Sequence, residues 1–577
     1  MSLRTLVLLA ALASGPLHAQ GWTQWGAGPT HEGSSDATGQ ALWATLADLV
    51  YDPFSPDEQA SSGGSLLVHF QAPLVEAGDV VMMFKTGTFT PNNWNTQVWN
   101  VRLMRLGFDE LVEVWAQESD WKPAPRFLAG WEPVFHPAMS TDVVYVPGLG
   151  GSLLRYQRSD GAPLGRVQPF GPALDPATFV AGPLTIDSSG NILYNAIRLD
   201  SPTTTGLVGS WLVRVAPDGT SAMVAFSTLV PGAPAASDPC ETQFSNPDLP
   251  WPPSVDAVPL TLPCGAQRAG LNVAPAVAED GTIYTVSRAH LNARYGYLVA
   301  VNPDLTPKWQ GSLRDRFNDG CNVGLPPNGT PGGCRAGANA GVDPATNRPG
   351  AGLVFDFGTA SPVVAPDGAV LIGTWTRYNY GTGHTLKFSS AGAYLGAYAA
   401  GWDLTPSIFR HDDTYSILLK ENHYNGGSYC SVEQWCPSNR TLATPSDPEQ
   451  YFITSLSAEL ALEWRYKNTN TESCTRNPDD SLTCVDDHPN GFEWCVNSIA
   501  VDDTGAVYAN NEDGNLFRIA PDGQSATRRF LQLATGAAYT PLSIGQDGLI
   551  YTQNDGRLFV VGEQANGVFR DGFEQPE

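Results

Sequence analysis

The sequence predicts an all-β fold built from eight copies of one antiparallel, four-stranded unit, and three observations predict it. The first is a recurring pattern. Its cleanest copy, at 275–284, reads Pro-Ala-Val-Ala-Glu-Asp-Gly-Thr-Ile-Tyr. A proline opens a short apolar strand, Asp280-Gly281 turns the chain, and a second apolar strand ends on Tyr284. The layout returns at 73–83, 133–145, 183–194, 362–372, 406–415 and 541–551, and in a form without the proline at 498–508. The second observation is composition. With 59 Gly, 46 Pro and only 16% charged residues, the chain suits many short strands joined by turns. The third lies just downstream of the repeated pattern. Apolar runs at 211–215, 297–301 and 516–519 lead into Ala216-Pro217-Asp218-Gly219, Asn302-Pro303-Asp304 and Ala520-Pro521-Asp522-Gly523. Asp-Gly pairs supply the positive φ that tight hairpins demand, so these runs read as third strands turning into fourth strands.

A chain of 577 residues often holds several domains, but a repeat array fills such a length as one unit. The net charge of −26 argues against a nucleic-acid partner, because an acidic surface repels phosphate. Residues 1–19 have the form of a secretory signal: Arg4, an apolar core over 6–13, Gly15-Pro16 as breakers and Ala19 at the cleavage point. That core is too short to span a bilayer, and no later stretch is long and apolar enough. A monomer in the periplasm or outside the cell is therefore expected. Eight of the nine cysteines form close pairs, each bracketing loop-like sequence: Cys240 with Cys264, Cys321 with Cys334, Cys430 with Cys436, and Cys474 with Cys484. In an oxidising compartment these read as four local disulfides. Zinc is the rival reading, and it lacks a CxxC pair or clustered His. Cys495 is left over as a buried thiol, or as an alternative partner of Cys474 or Cys484.

The opening Gly21-Trp22-Thr23-Gln24-Trp25-Gly26, together with the repeats, resembles the secreted pyrroloquinoline-quinone-like (PQQ-like) repeat family. The resemblance implies an eight-bladed β-propeller of four-stranded blades over 20–563, followed by a tail at 564–577. It implies that Trp115, Trp309 and Trp464 dock one blade on the next. It also implies that an N-terminal strand, here near Trp22 to Trp25, supplies the missing fourth strand of the last blade and closes the ring.

Eight repeats average roughly 70 residues, whereas a four-stranded blade takes about 40 to 45. The surplus lies between one blade and the next (232–271, 311–358, 468–494) and between second and third strands (200–210, 289–296, 421–450). In an up-and-down blade both kinds of connection emerge on one rim. All four predicted disulfides are then on that rim, and loops on a rigid scaffold are where binding is concentrated. Capping of the channel is the structural alternative. Residues predicted to line this face are Lys85, Arg198, Arg288, Arg377, Asn422, His423, Asp403 and Glu493, with Glu421, Asn510, Asn554, Glu132, Asn272, Asp356 and Tyr539 nearby. Four cations at matching blade positions would suit a carboxylate, a sugar acid or a peptide end; isolated solvated arginines are the plainer alternative.

The expected function is ligand binding without chemistry, for a small molecule, glycan or protein, with no cofactor, no metal and no catalytic residue. The alternative is a quinone (PQQ) and calcium-dependent dehydrogenase of alcohols or sugars. Against it stand the absence of adjacent cysteines and of a CxxCH haem site. No GxSxG elbow, HExxH or phosphate loop is present either.

Overall fold

The computed structural model describes residues 21–63, 71–130, 136–245, 252–323, 334–335, 337–358, 360–378, 381–400, 403–424, 449–535 and 541–563. Eight principal sheets form an eight-bladed β-propeller of antiparallel blades. Blade 1 runs outward through Leu74–Glu76, Asp79–Thr86, Val98–Leu106 and Leu111–Ser119. Blade 2 extends from Ala138–Met139 to Pro163–Val167 and blade 3 from Thr178–Val180 to Ser221–Ala225. Blade 4 extends from Gln267–Ala269 to Pro307–Ser312 and blade 5 from Val363–Val364 to Tyr394–Ala400. Blade 6 extends from Ser407–His411 to Leu462–Lys467 and blade 7 from Ala500–Val501 to Ala526–Phe530. The innermost strands of blades 3 and 4 are each split in two. The inner strands read as near-continuous apolar runs because both faces of a blade pack on a neighbour. Val80, Val81, Met82 and Met83 are all fully buried.

The last blade corrects one expectation. Its inner strands are Ser543–Ile544, Ile550–Asn554 and Arg557–Gly562, and its outer strand is Ala44–Val50, paired antiparallel from Ala44 opposite Gly562 to Val50 opposite Arg557. The stretch from Trp22 to Trp25 is not that strand. Residues 22–40 instead run around the axis of the ring. Trp22 exchanges backbone hydrogen bonds with Val75 of blade 1 (2.7 and 2.8 Å). Met139 of blade 2 donates to the Thr23 carbonyl, and Ile186 of blade 3 donates to the Gln24 side chain. Val277, Val364, Ile408 and Val501, of blades 4 to 7, donate to the carbonyls of Pro29, Thr30, Glu32 and Gly33 at 2.7–3.0 Å. Gln40 then donates to Gly548 in blade 8 (2.8 Å).

The physical reason is that the innermost strand of every blade has an unpaired edge facing the channel. One peptide visits the blades in order and satisfies a backbone group on each. It cannot do so as a strand. Gly26, Ala27, His31 and Gly33 adopt φ between 60° and 72°, which bends the chain around the circle. Trp22, Trp25 and His31 are buried there. Each contacted residue lies beside the tight turn between first and second strands, so the segment fills the channel at the turn rim.

The docking tryptophans are where the resemblance places them. Each indole covers a positive-φ glycine in the outer turn of the next blade: Trp115 over Gly161, Trp309 over Gly392 and Trp464 over Gly523. A Cβ at any of the three would come within 3.0 Å of the indole. Three of the expected disulfides are formed, Cys240–Cys264, Cys321–Cys334 and Cys474–Cys484, and Cys495 is a buried thiol. The Cys430 and Cys436 pair, residues 1–19, Glu132, Tyr539 and the tail lie outside the described residues. Among the described residues no helix is long and apolar enough to cross a membrane.

Candidate functional site

The three described disulfides lie in connections from the fourth strand of one blade to the first of the next: blade 3 to 4, 4 to 5 and 6 to 7. Alternation of strand direction puts all three on the rim opposite the plugged turns. Each of these connections carries its own two-stranded hairpin: Pro239–Glu241 with Thr261–Pro263, Val342–Asp343 with Arg348–Pro349, and Glu472–Arg476 with Leu482–Asp486. Cys474 faces Cys484 directly across the third hairpin.

The cations expected to line this rim are internally paired. Lys85 is buried between Asp52 (2.9 Å) and Glu58 (2.7 Å), which ties the short helix Ser55–Ser61 to blade 1. Arg198 bonds Asp175 and Thr178 and covers the Phe170 and Trp211 rings. Arg288 is buried against Asp356 (2.9 Å), which also takes two bonds from Arg268 (2.7 and 2.6 Å). Burial pushes the Arg288 guanidinium down to about 10, and Arg268 adds to the depression, while Asp356 opposes it. The side chain of Arg377 lies outside the described residues. Lys85, Arg198 and Arg288 thus each make a separate ion pair that fastens loop to blade.

The amides also have structural work. Asn422, on the second strand of blade 6, bonds both the N–H and the carbonyl of Trp494 at the entry to blade 7 (3.2 and 3.1 Å). Asn510 donates to Gln553, and Gln553 donates to Gln71, continuing the staples through blade 8 to blade 1. Asn272 bridges blade 4 to the carbonyls of Asp356 and Gly358. His423 bonds the buried Glu421 (2.5 Å), which also accepts from Arg465, Tyr398 and Thr454. Burial pushes the Glu421 carboxyl up, but His423 and Arg465 outweigh it and hold it below the usual range.

A further cluster of ionisable groups is found on the loop rim. It lies between blades 6 and 7 and joins Asp403, Lys420, Glu493, Cys495 and Glu512. The ligand-capable atoms of Glu493, Cys495 and Glu512 all lie within 4.8 Å of one another. Tyr424 donates to Glu493 (2.5 Å). Lys420 is fully buried. Burial pushes its ammonium down to about 8, against the pull of Cys495, Asp403 and Glu493. Burial, together with Glu493 and Glu512, pushes the Cys495 thiol well up. Two carboxylates and a thiol at this spacing can hold a divalent cation once the thiol is deprotonated, with Lys420 competing for the same negative charge. Asp403 and Glu493 were legible as rim residues. Lys420 and Glu512 were not, because nothing local marks either as facing Cys495.

The quinone implied by the resemblance needs a tryptophan face and room for a planar ring system. On this rim Trp375 is met edge-on by Phe355 and Phe357, with centroids at 5.8 and 5.1 Å. The cavity lined by Phe355, Gly358 and Asp403 measures about 20 Å³, room for a single water. The nearby guanidiniums of Arg268 and Arg288 already hold Asp356. Around Trp375 the described residues leave no slot for a planar ring system.

No protein-family model and no curated protein matches the sequence. Among solved structures, the chain is similar to the quinohemoprotein alcohol dehydrogenase of Comamonas testosteroni at 10% identity and a TM-score of 0.48, over 97% of this chain and 82% of that one. It is similar to BamB of Moraxella catarrhalis at 12% identity and a TM-score of 0.38, over 90% and 99%. It is similar to Sqt1 of Saccharomyces cerevisiae at 9% identity and a TM-score of 0.39, over 91% and 99%.

Proposed function

We propose that this chain is an exported, non-catalytic binding propeller that holds a protein or glycan ligand on its loop rim. The observation that carries the reading is the opposition of the two rims. One is occupied by residues 22–40, which bond to all eight blades. The other carries the disulfide-fixed insertions and the cluster of Asp403, Lys420, Glu493, Cys495 and Glu512. Cross-linked loops on a rigid ring are ordered before the ligand arrives, so binding costs little conformational entropy. The disulfides also suit an oxidising compartment.

A photo-reactive residue placed at Thr483 on the loop rim, or at Asp109 on the turn rim of blade 1, tests this in an extract of the cell envelope. A ligand cross-linked from position 483 and not from 109 is the expected result. Capture from 109 alone overturns the reading. Reduction of a redox dye after addition of PQQ and calcium overturns it in favour of a dehydrogenase.

A further inference from the structure

The seam between blades 6 and 7 opens at the turn rim, away from the Cys495 cluster, into a groove of about 440 Å³. That volume is within the ~300–1,000 Å³ of small-ligand sites. Its walls are aromatic: half-buried Trp464, and Phe409 with His411 stacked on it at 5.3 Å. Its polar side is organised around the exposed Glu463. The buried hydroxyls of Ser416 and Ser455 both donate to Oε2 of Glu463 at 2.7 Å.

These bonds fix the remaining protons. Ser416 gives its hydrogen to Glu463, so the 2.9 Å contact between His411 Nε2 and Ser416 Oγ has the imidazole donating. Nδ1 of His411 lies 3.8 Å from the carboxylate of Asp412. Among the described residues Oε1 of Glu463 receives no hydrogen bond, and the indole N–H of Trp464 makes none. The other docking tryptophans differ: Trp115 and Trp309 give their N–H to the carbonyls of Arg158 and Ser390, both at 2.8 Å.

The groove therefore offers an aromatic face, the indole N–H of Trp464 as a donor and Oε1 of Glu463 as an acceptor. A pyranose ring has the matching parts, an apolar C–H face and equatorial hydroxyls that both donate and accept. An organic ammonium would use the rings and the carboxylate but leave the indole N–H idle. We propose that this groove binds a neutral saccharide of one or two rings, with Trp464 as the platform and Glu463 as the hydroxyl acceptor.

The test is calorimetric titration of the purified full chain with maltose, cellobiose, lactose and N,N′-diacetylchitobiose, with tetramethylammonium as the competing chemistry. Saturable binding of at least one saccharide is expected. Glu463→Gln, which keeps an acceptor for the two serines, should weaken it about tenfold or more. Trp464→Phe should weaken it as well, with circular dichroism confirming the fold. No saturation by any of the four sugars overturns the proposal. So does saccharide affinity unchanged in Glu463→Gln, or binding of tetramethylammonium alone.

Discussion

Two seams of the ring use the same docking residue and end in different states. Between blades 4 and 5, half-buried Trp309 is bordered by aromatic rings. It caps Gly392, bonds the Ser390 carbonyl, lies beside Tyr284 at 5.8 Å and stacks on Phe388 at 6.4 Å. Between blades 6 and 7, Trp464 caps Gly523 in the same way, but its neighbours include the small polar Ser416 and Ser455, and a groove remains. The tryptophan sets the angle at which blades meet. What surrounds it decides whether the seam is filled or left open. A second recess, of about 290 Å³ and lined by Tyr466, Asn470, Phe517 and Arg528, lies in the same 6–7 seam.

The sharpest way to break this comparison is to remove the two indoles in turn. Trp309→Ala should cost about 3 kcal/mol, the low end for large aromatic truncations, and Trp464→Ala distinctly less, because it lacks the Tyr284 and Phe388 ring contacts that Trp309 makes. Chemical denaturation measures both; equal losses would erase the distinction between the seams.

Acid is next in size. His31 bonds the Pro362 carbonyl of blade 5 and Thr185 of blade 3, and His136 packs edge-on against Trp25. Both are fully buried, and burial lowers each to about 4 from an ordinary 6.5. The unfolded chain therefore binds more protons than the folded one between pH 6.5 and 4, so stability is retained above pH 6.5 and falls as pH drops toward 4. Each histidine should contribute on the order of 3 kcal/mol to that loss. Melting temperatures from pH 7 to 4, with and without His31→Asn, measure it. Hydrogen exchange at pH 4.5 should show the 6–7 seam opening before the 4–5 seam.

A smaller effect is expected from Asn422→Ala, which removes both bonds to Trp494 and should cost about 1–3 kcal/mol. Exchange protection should fall around blades 6 and 7 and stay unchanged around Trp309.

Much of the fold was legible because it is written locally. The repeated hairpins, the glycine turns, the docking tryptophans and the close cysteine pairs all span short stretches of chain. The candidate site was less legible because its partners are remote. Lys85, Arg198 and Arg288 looked like free cations until Asp52, Asp175 and Asp356 were seen beside them, the last 68 residues from Arg288. The same holds for Trp22 to Trp25. Its sequence looks like strand, and its bent path is imposed by backbone edges contributed by blades hundreds of residues away. The open seam was invisible for a different reason: empty volume comes from what Ser416 and Ser455 fail to fill, and no motif records it.

The peptide that threads the axis has a consequence for how the molecule is made. Its first residues bond to a strand some fifty positions on and, within a few more, to strands beyond position 500, and the outer strand after them pairs with residues 557–562. Such separations place the chain among slow folders. In a nascent copy emerging amino end first, the strand Ala44–Val50 has no partner until the last blade is synthesised, so closure of the ring is a post-synthetic event.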